Sequence, residues 1–143
     1  MGTWAVGTFG NDFALDWAED LQESKDVYFI EETLNNVLGP DSADYLEAPY
    51  GAEALAAIDV LARLQGQAPD GDDADADEAG VPQWVREAGV KFKRRPDLTD
   101  KAQRAIAHIV SERSELRALW QDSDEYDNWR AAVQALLVRV SAP

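Results

Sequence analysis

The chain has 143 residues, 45% of them hydrophobic, with five Trp, four Tyr and four Phe, which is enough for one domain with a real core. It has no Cys and a single His, His108, so disulfides, thiolate metal sites and multi-His zinc sites are excluded and a His-based triad is disfavoured. The net charge of −15 is laid out unevenly: residues 1–80 hold nineteen Asp/Glu against Lys25 and Arg63, and residues 81–143 hold eleven Lys/Arg against nine Asp/Glu.

The reading is an all-α single domain over 1–143, with five to six helices in an orthogonal or bundle-like arrangement and no internal repeat. It begins with an irregular Gly-rich segment, MGTWAVGTFGND. Asn11 or Asp12 is a good N-cap for a first helix, with Phe13, Trp17 and Leu21 as its inward stripe and Ala14 and Ala18 beside them. Ser24 is positioned to cap a second helix with Val27, Ile30, Leu34 and Val37/Leu38 facing inward, ended by Gly39-Pro40. DSADYLEAPYG reads as a linker with at most one helical turn. From Ala52 to about Gln65 the Ala/Leu-rich run is strongly helical, with Leu55, Ile58 and Leu61/Ala62 pointing one way.

An acidic, low-complexity loop follows at 67–80; it has no apolar surface to bury and is expected to be mobile. QWVREAG reads as a short helix after Val81-Pro82, and KFKRRPD as a basic connector broken by Pro96. Thr99 or Asp100 caps what reads as the longest helix, about 100–120, with Ala102, Ala105/Ile106, Ile109/Val110, Leu116 and Leu119/Trp120 on one stripe. Ser123 caps a last helix carrying Tyr126, Trp129, Val133, Leu136/Leu137 and Val140. Only 3–9 and 90–93 offer short extended pieces.

Few constellations carry chemistry. GTFGND has no Gly-Lys-Ser/Thr and no strand–helix–strand context, so it is neither a Walker loop nor a dinucleotide fingerprint. Asp12 and Asp16 would repel a phosphate there and instead favour the helix dipole. Asp12, Asp16 and Asp20 form a like-charged i, i+4, i+8 column, a solvated face first and a basic-partner or hard-cation surface second. The loop at 70–78 alternates carboxylates but lacks the Gly and Glu positions of an EF-hand. The basic patch at 91–95 invites a nucleic-acid reading, which the repulsive field of the whole chain opposes; pairing with the acidic half fits better. His108 has Glu112 four residues on but no nucleophile at a recognisable spacing, so it reads as non-catalytic. Arg113 and Arg117 are placed to pair with Asp122, Asp124, Glu125 or Asp127 around a helix–turn–helix corner in which Leu116, Trp120 and Trp129 pack.

No run of about 18 apolar residues exists for a membrane span. The N-terminus lacks a signal peptide's basic and apolar regions, and Val6 stands where a myristoylation motif needs Ser or Thr. The expectation is a cytoplasmic protein with no nucleic-acid or membrane partner and no cofactor or metal.

Met1, Gly2, Trp4, Gly7, Phe9, Asn11, Asp12, Ala14, Asp16 and Trp17 together resemble the N-terminal signature of domain-of-unknown-function family 4259 (DUF4259). Ala5 departs from it, where the family usually has Gly. EALAAIDVLARLQG is similar to the family's Ala-rich middle helix, and SELRALWQDSDEYDNW to its Ser-Glu-Leu-x-x-Leu-Trp corner. The resemblance spans nearly the whole chain and implies a small bacterial domain; it brings no activity and no catalytic residues.

Charge asymmetry therefore leads. The functional expectation is an acidic, non-enzymatic interaction protein, in its concrete form an immunity-type protein that neutralises a toxin by covering a basic surface. Asp16, Asp20, Glu23 and the 70–78 loop would steer that partner. The rival is a small-ligand binder or enzyme that uses the N-terminal corner of Trp4, Asn11, Asp12 and Asp16.

Overall fold

The structure, a computed structural model, is described for residues 12–24, 27–38, 45–65 and 95–141. Trp4, Asn11, the Gly-rich start, the acidic loop at 67–80, the expected short helix after Pro82 and the basic residues 91–94 lie outside the described residues. So do both expected extended pieces.

Six helices occur in chain order: α1 (Asp12–Ser24), α2 (Val27–Leu38), α3 (Ala48–Leu64), α4 (Pro96–Ile109), α5 (Glu115–Gln121) and α6 (Tyr126–Ser141). No strand occurs among the described residues, and the domain is all-α. Helix α3 is the axis. It packs against every other helix, and only Pro49, Tyr50, Glu53 and Arg63 along it are not buried. A helix that is apolar nearly all round belongs in a core. The expected one-sided stripe of Leu55, Ile58 and Leu61/Ala62 is buried but too narrow. Ala54, Ala56 and Ala57 are also fully buried, because small side chains let neighbouring helices close in on all sides.

Helix α1 buries Ala14, Trp17, Ala18 and Leu21, as the periodicity predicts. Phe13 does not join them; at 37% exposure it sits at the edge of the stripe. The Trp17 ring stacks on Phe29 of α2 at 5.4 Å between centroids, and its indole N–H donates to Thr33 Oγ1 at 2.7 Å. Thr33 in turn donates to the Phe29 carbonyl at 2.9 Å, so the buried donor is satisfied within a relay. Ser24 is the last residue of α1, and its hydroxyl bonds back to the Leu21 carbonyl at 3.2 Å.

Helix α3 begins four residues before the expected start, with Pro49 in its first turn, where the missing N–H costs nothing. Its start is pinned from far away. Leu46 exchanges backbone hydrogen bonds with the turn before α5: its N–H donates to Arg113 O at 2.6 Å, and its carbonyl accepts from Glu115 N at 2.8 Å. Glu115 Oε1 then accepts the Ala48 N–H at 2.8 Å. A carboxylate from another helix thus serves an otherwise orphaned donor of α3.

The stretch read as one helix over 100–120 is two. Pro96 opens α4 instead of breaking a connector, and α4 ends at Ile109. Ser111 N and Oγ both donate to the His108 carbonyl, at 3.1 and 2.6 Å, which closes the helix. Ser114 then caps α5 by accepting from Arg117 N at 3.3 Å. Trp120 and Trp129 stack at 6.2 Å across the α5–α6 corner, with Tyr126 tilted against Trp129 at 6.1 Å. Ser123 bridges that corner, donating to Trp120 O at 2.7 Å and accepting from Glu125 N at 3.1 Å.

Candidate functional site

The acidic residues singled out on α1 share one face. Ala14, Trp17, Ala18 and Leu21 face the core, and at 100° per residue this turns Asp12, Asp16, Glu19, Asp20 and Glu23 outward; all five are exposed. Phe13 and Leu15 flank this face at 37% and 41% exposure. Asp12 lies in the first turn, where a carboxylate complements the helix dipole. Trp4 and Asn11, the other two members of the expected corner, lie outside the described residues.

The acidic face continues onto α3. Burial raises the Glu53 carboxyl above its ordinary range, and the negative charge of Asp20 raises it further. Among the described residues, Asp12, Asp16, Glu19, Asp20 and Glu23 take part in no ion pair. Helix α2 behaves differently. Glu31 meets Lys101 at 2.9 Å and Arg95 at 3.5 Å, and the Lys101 hydrogen bond holds its carboxyl below the ordinary range against the opposing effect of burial. Arg95, the last residue of the basic patch, therefore pairs with the acidic half, and it also bonds Asp97 at 2.6 Å.

A second ionic group is internal. Asp59, fully buried on α3, accepts from Arg63 Nε at 3.0 Å and from Arg139 Nη2 of α6 at 2.7 Å. Just beyond it, Gln65 donates to the Val140 carbonyl at 3.1 Å and accepts from Thr99 at 3.0 Å. These bonds tie the ends of α3, α4 and α6 together.

The third feature is an open groove of about 560 Å³ between the end of α2 and the end of α4. Leu38 and Ala107 form its apolar side; Arg104, His108 and Ser111 line it, with Glu112 and Arg113 from the following turn. Burial, and then the Arg113 charge, push the His108 imidazole below its ordinary range. Glu112 is not one helical turn from His108 as the spacing implies, because α4 has already ended. Arg117 bonds the Val110 carbonyl at 3.0 Å and contributes to lowering the Tyr126 phenol, rather than serving the carboxylates of the corner. For Tyr126 burial acts upward; the Arg130 hydrogen bond and the two arginine charges outweigh it. Of the groove's polar residues, the sequence singles out His108 and Glu112 as a spaced pair; nothing in their spacing groups them with Arg104, Ser111 and Arg113.

Among the described residues, no three His, Cys, Asp or Glu are grouped to hold a metal ion, and no helix is long and apolar enough to cross a membrane. No curated protein and no solved structure matches the chain significantly. The model of the domain of unknown function DUF4259 matches residues 2–132, which takes in everything from the Gly-rich start to the first turns of α6. With the match covering nearly its whole length, the chain belongs to the DUF4259 family.

Proposed function

We propose that the protein is a non-enzymatic interaction protein of the bacterial cytoplasm whose acidic α1 face engages a basic protein partner, in the concrete case as an immunity-type protein covering a toxin's basic surface. The observation that carries the reading is the contrast between two helices of the acidic half. The Glu31 carboxylate of α2 is engaged by Lys101 and Arg95, whereas the α1 carboxylates take part in no ion pair among the described residues, and Asp20 presses on Glu53.

Such a face steers an oppositely charged partner during encounter, and flanking apolar groups such as Phe13 and Leu15 supply the area that then holds it. A chain without cysteine suits a reducing compartment. The test is capture of partners from the native host at low salt, run in parallel with wild type and with a variant in which Asp16→Asn, Asp20→Asn and Glu23→Gln are combined. A basic partner retained by wild type and lost by the variant supports the reading.

A further inference from the structure

The groove at the end of α4 is built differently from the rest of the surface. Arg104, Ala107 and His108 follow one another at i, i+3 and i+4, the spacing of a single helix face, and Ser111 joins them from the turn just past the end of α4. The opposite face, with Leu98, Ala102, Ala105, Ile106 and Ile109, is buried in the core, so the groove wall is fixed by the fold. The chain then reverses at 110–114 and brings Arg113 to the same opening. The volume of about 560 Å³ falls within the range of small-molecule sites.

In a chain of net charge −15, two guanidinium groups, Arg104 and Arg113, share one opening with a single lining carboxylate, Glu112, beside an imidazole that burial holds below its ordinary range. The field of Arg113 reaches the His108 ring, because it helps to lower that imidazole. Arg104 is paired with Asp100 at 3.0 Å and remains exposed.

A helix C-terminus ordinarily disfavours an anion, since its last carbonyls point outward. Here some of the carbonyls at and just past the end of α4 are engaged. Ile106 O accepts Val110 N at 3.0 Å, His108 O accepts both donors of Ser111, and Val110 O accepts the Arg117 guanidinium at 3.0 Å. The Arg117 guanidinium is thus held beside the end of α4, at the Val110 carbonyl.

We propose that this groove binds a small organic oxyanion, a carboxylate or phosphate monoester on a compact apolar body. Arg104 and Arg113 receive the oxyanion and Leu38 and Ala107 receive the body. The overall negative field of the protein opposes multiply charged ligands, which favours one anionic group over a di- or triphosphate. An open site with exposed arginines binds weakly, with a dissociation constant on the order of 0.1–1 mM. The inference stands apart from the acidic α1 face and survives its failure.

His108 is the only histidine of the chain, so its imidazole C–H signals in proton NMR report the groove without assignment. Wild type is titrated at constant ionic strength with benzoate, with phenyl phosphate, and with chloride as control. The proposal expects a saturable shift of the His108 signal with benzoate, phenyl phosphate or both; the ligand that saturates identifies the source of the oxyanion. Arg104→Gln and Arg113→Gln are the variants; both positions are exposed, and an unchanged far-UV spectrum shows that the fold is kept. Each is expected to weaken binding at least several-fold. A shift that stays linear and equal to that of chloride overturns the proposal, as does saturable binding that both variants leave unchanged.

Discussion

Arg139 of α6 donates to Asp59 of α3 at 2.7 Å, and these two residues, 80 apart in sequence, hold the buried central helix to the last one. Arg63 shares the same carboxylate oxygen at 3.0 Å. Removing one partner of a buried ionic group leaves the others desolvated without compensation, at about 3–5 kcal/mol. Asp59→Ala is therefore expected to destabilise the fold by about that amount in urea denaturation. Arg139→Met, which keeps the apolar stem and leaves Arg63 in place, is expected to cost less.

The relay of Trp17, Thr33 and Phe29 predicts a smaller, isosteric effect. Thr33→Val keeps the shape but leaves the buried indole N–H without its 2.7 Å acceptor. An unsatisfied buried donor costs about 1–3 kcal/mol. Trp17→Phe in the Thr33→Val background removes that donor, so a double-mutant cycle in urea is expected to show coupling between the two positions.

Glu115 sits at the junction of two helix starts. Its own N–H donates to Leu46 O, and its carboxylate accepts from Ala48 N at 2.8 Å. Glu115→Ala is expected to destabilise by about 1 kcal/mol, the usual worth of a capping acceptor. Glu115→Gln retains an acceptor and is expected to recover part of that loss, with the remainder reporting the charge at the N-terminus of α3. Thermal denaturation of the two variants separates these contributions.

Opposite pH dependences follow from the two glutamates with displaced carboxyls. Glu53 is raised in the folded state, so folding favours its protonated form; its contribution is fully present below the unfolded-state value and is lost as pH rises through the folded one. Glu31 is lowered, so its contribution is present above the unfolded-state value and is lost as pH falls through the folded one. Glu53→Gln is thus expected to raise the neutral-pH Tm only slightly, because water still screens the site. Glu31→Gln is expected to lower it. Denaturation of both variants across the acid range checks the two signs.

Periodicity was informative where a helix lies on the surface of the core. Trp17 and Leu21 of α1, Ile30 and Leu34 of α2, and Trp129, Val133 and Leu136 of α6 are buried as their spacing predicts. It failed where the apolar repeat runs across a break. Ile109 and Leu116 are seven residues apart, two helical turns, so the stripe continues in phase although the chain turns between them. The signals for that turn are local hydroxyls, Ser111 and Ser114, whose hydrogen bonds compete with the helix. The early start of α3 was hidden because Pro49 and Gly51 read as loop residues, although proline suits a first turn.

The same physics divides the candidate sites. The acidic face of α1 was legible because Asp12, Asp16, Asp20 and Glu23 recur on one helix. The Asp59 cluster was not, since its partner Arg139 lies on another helix far along the chain. The groove was equally hidden: Arg113 joins Arg104 and His108 only because α4 ends at Ile109.

The most direct test of the central claim is the salt dependence of partner capture by the α1 face. Wild type and the combined Asp16→Asn, Asp20→Asn, Glu23→Gln variant are immobilised side by side, and host proteins are captured at low and at physiological salt. Captured proteins are identified, and their affinities for both forms are measured. The account predicts a basic partner whose affinity falls with salt and which the variant no longer retains. Capture of nothing at low salt, or of a partner held equally by the variant, would contradict it.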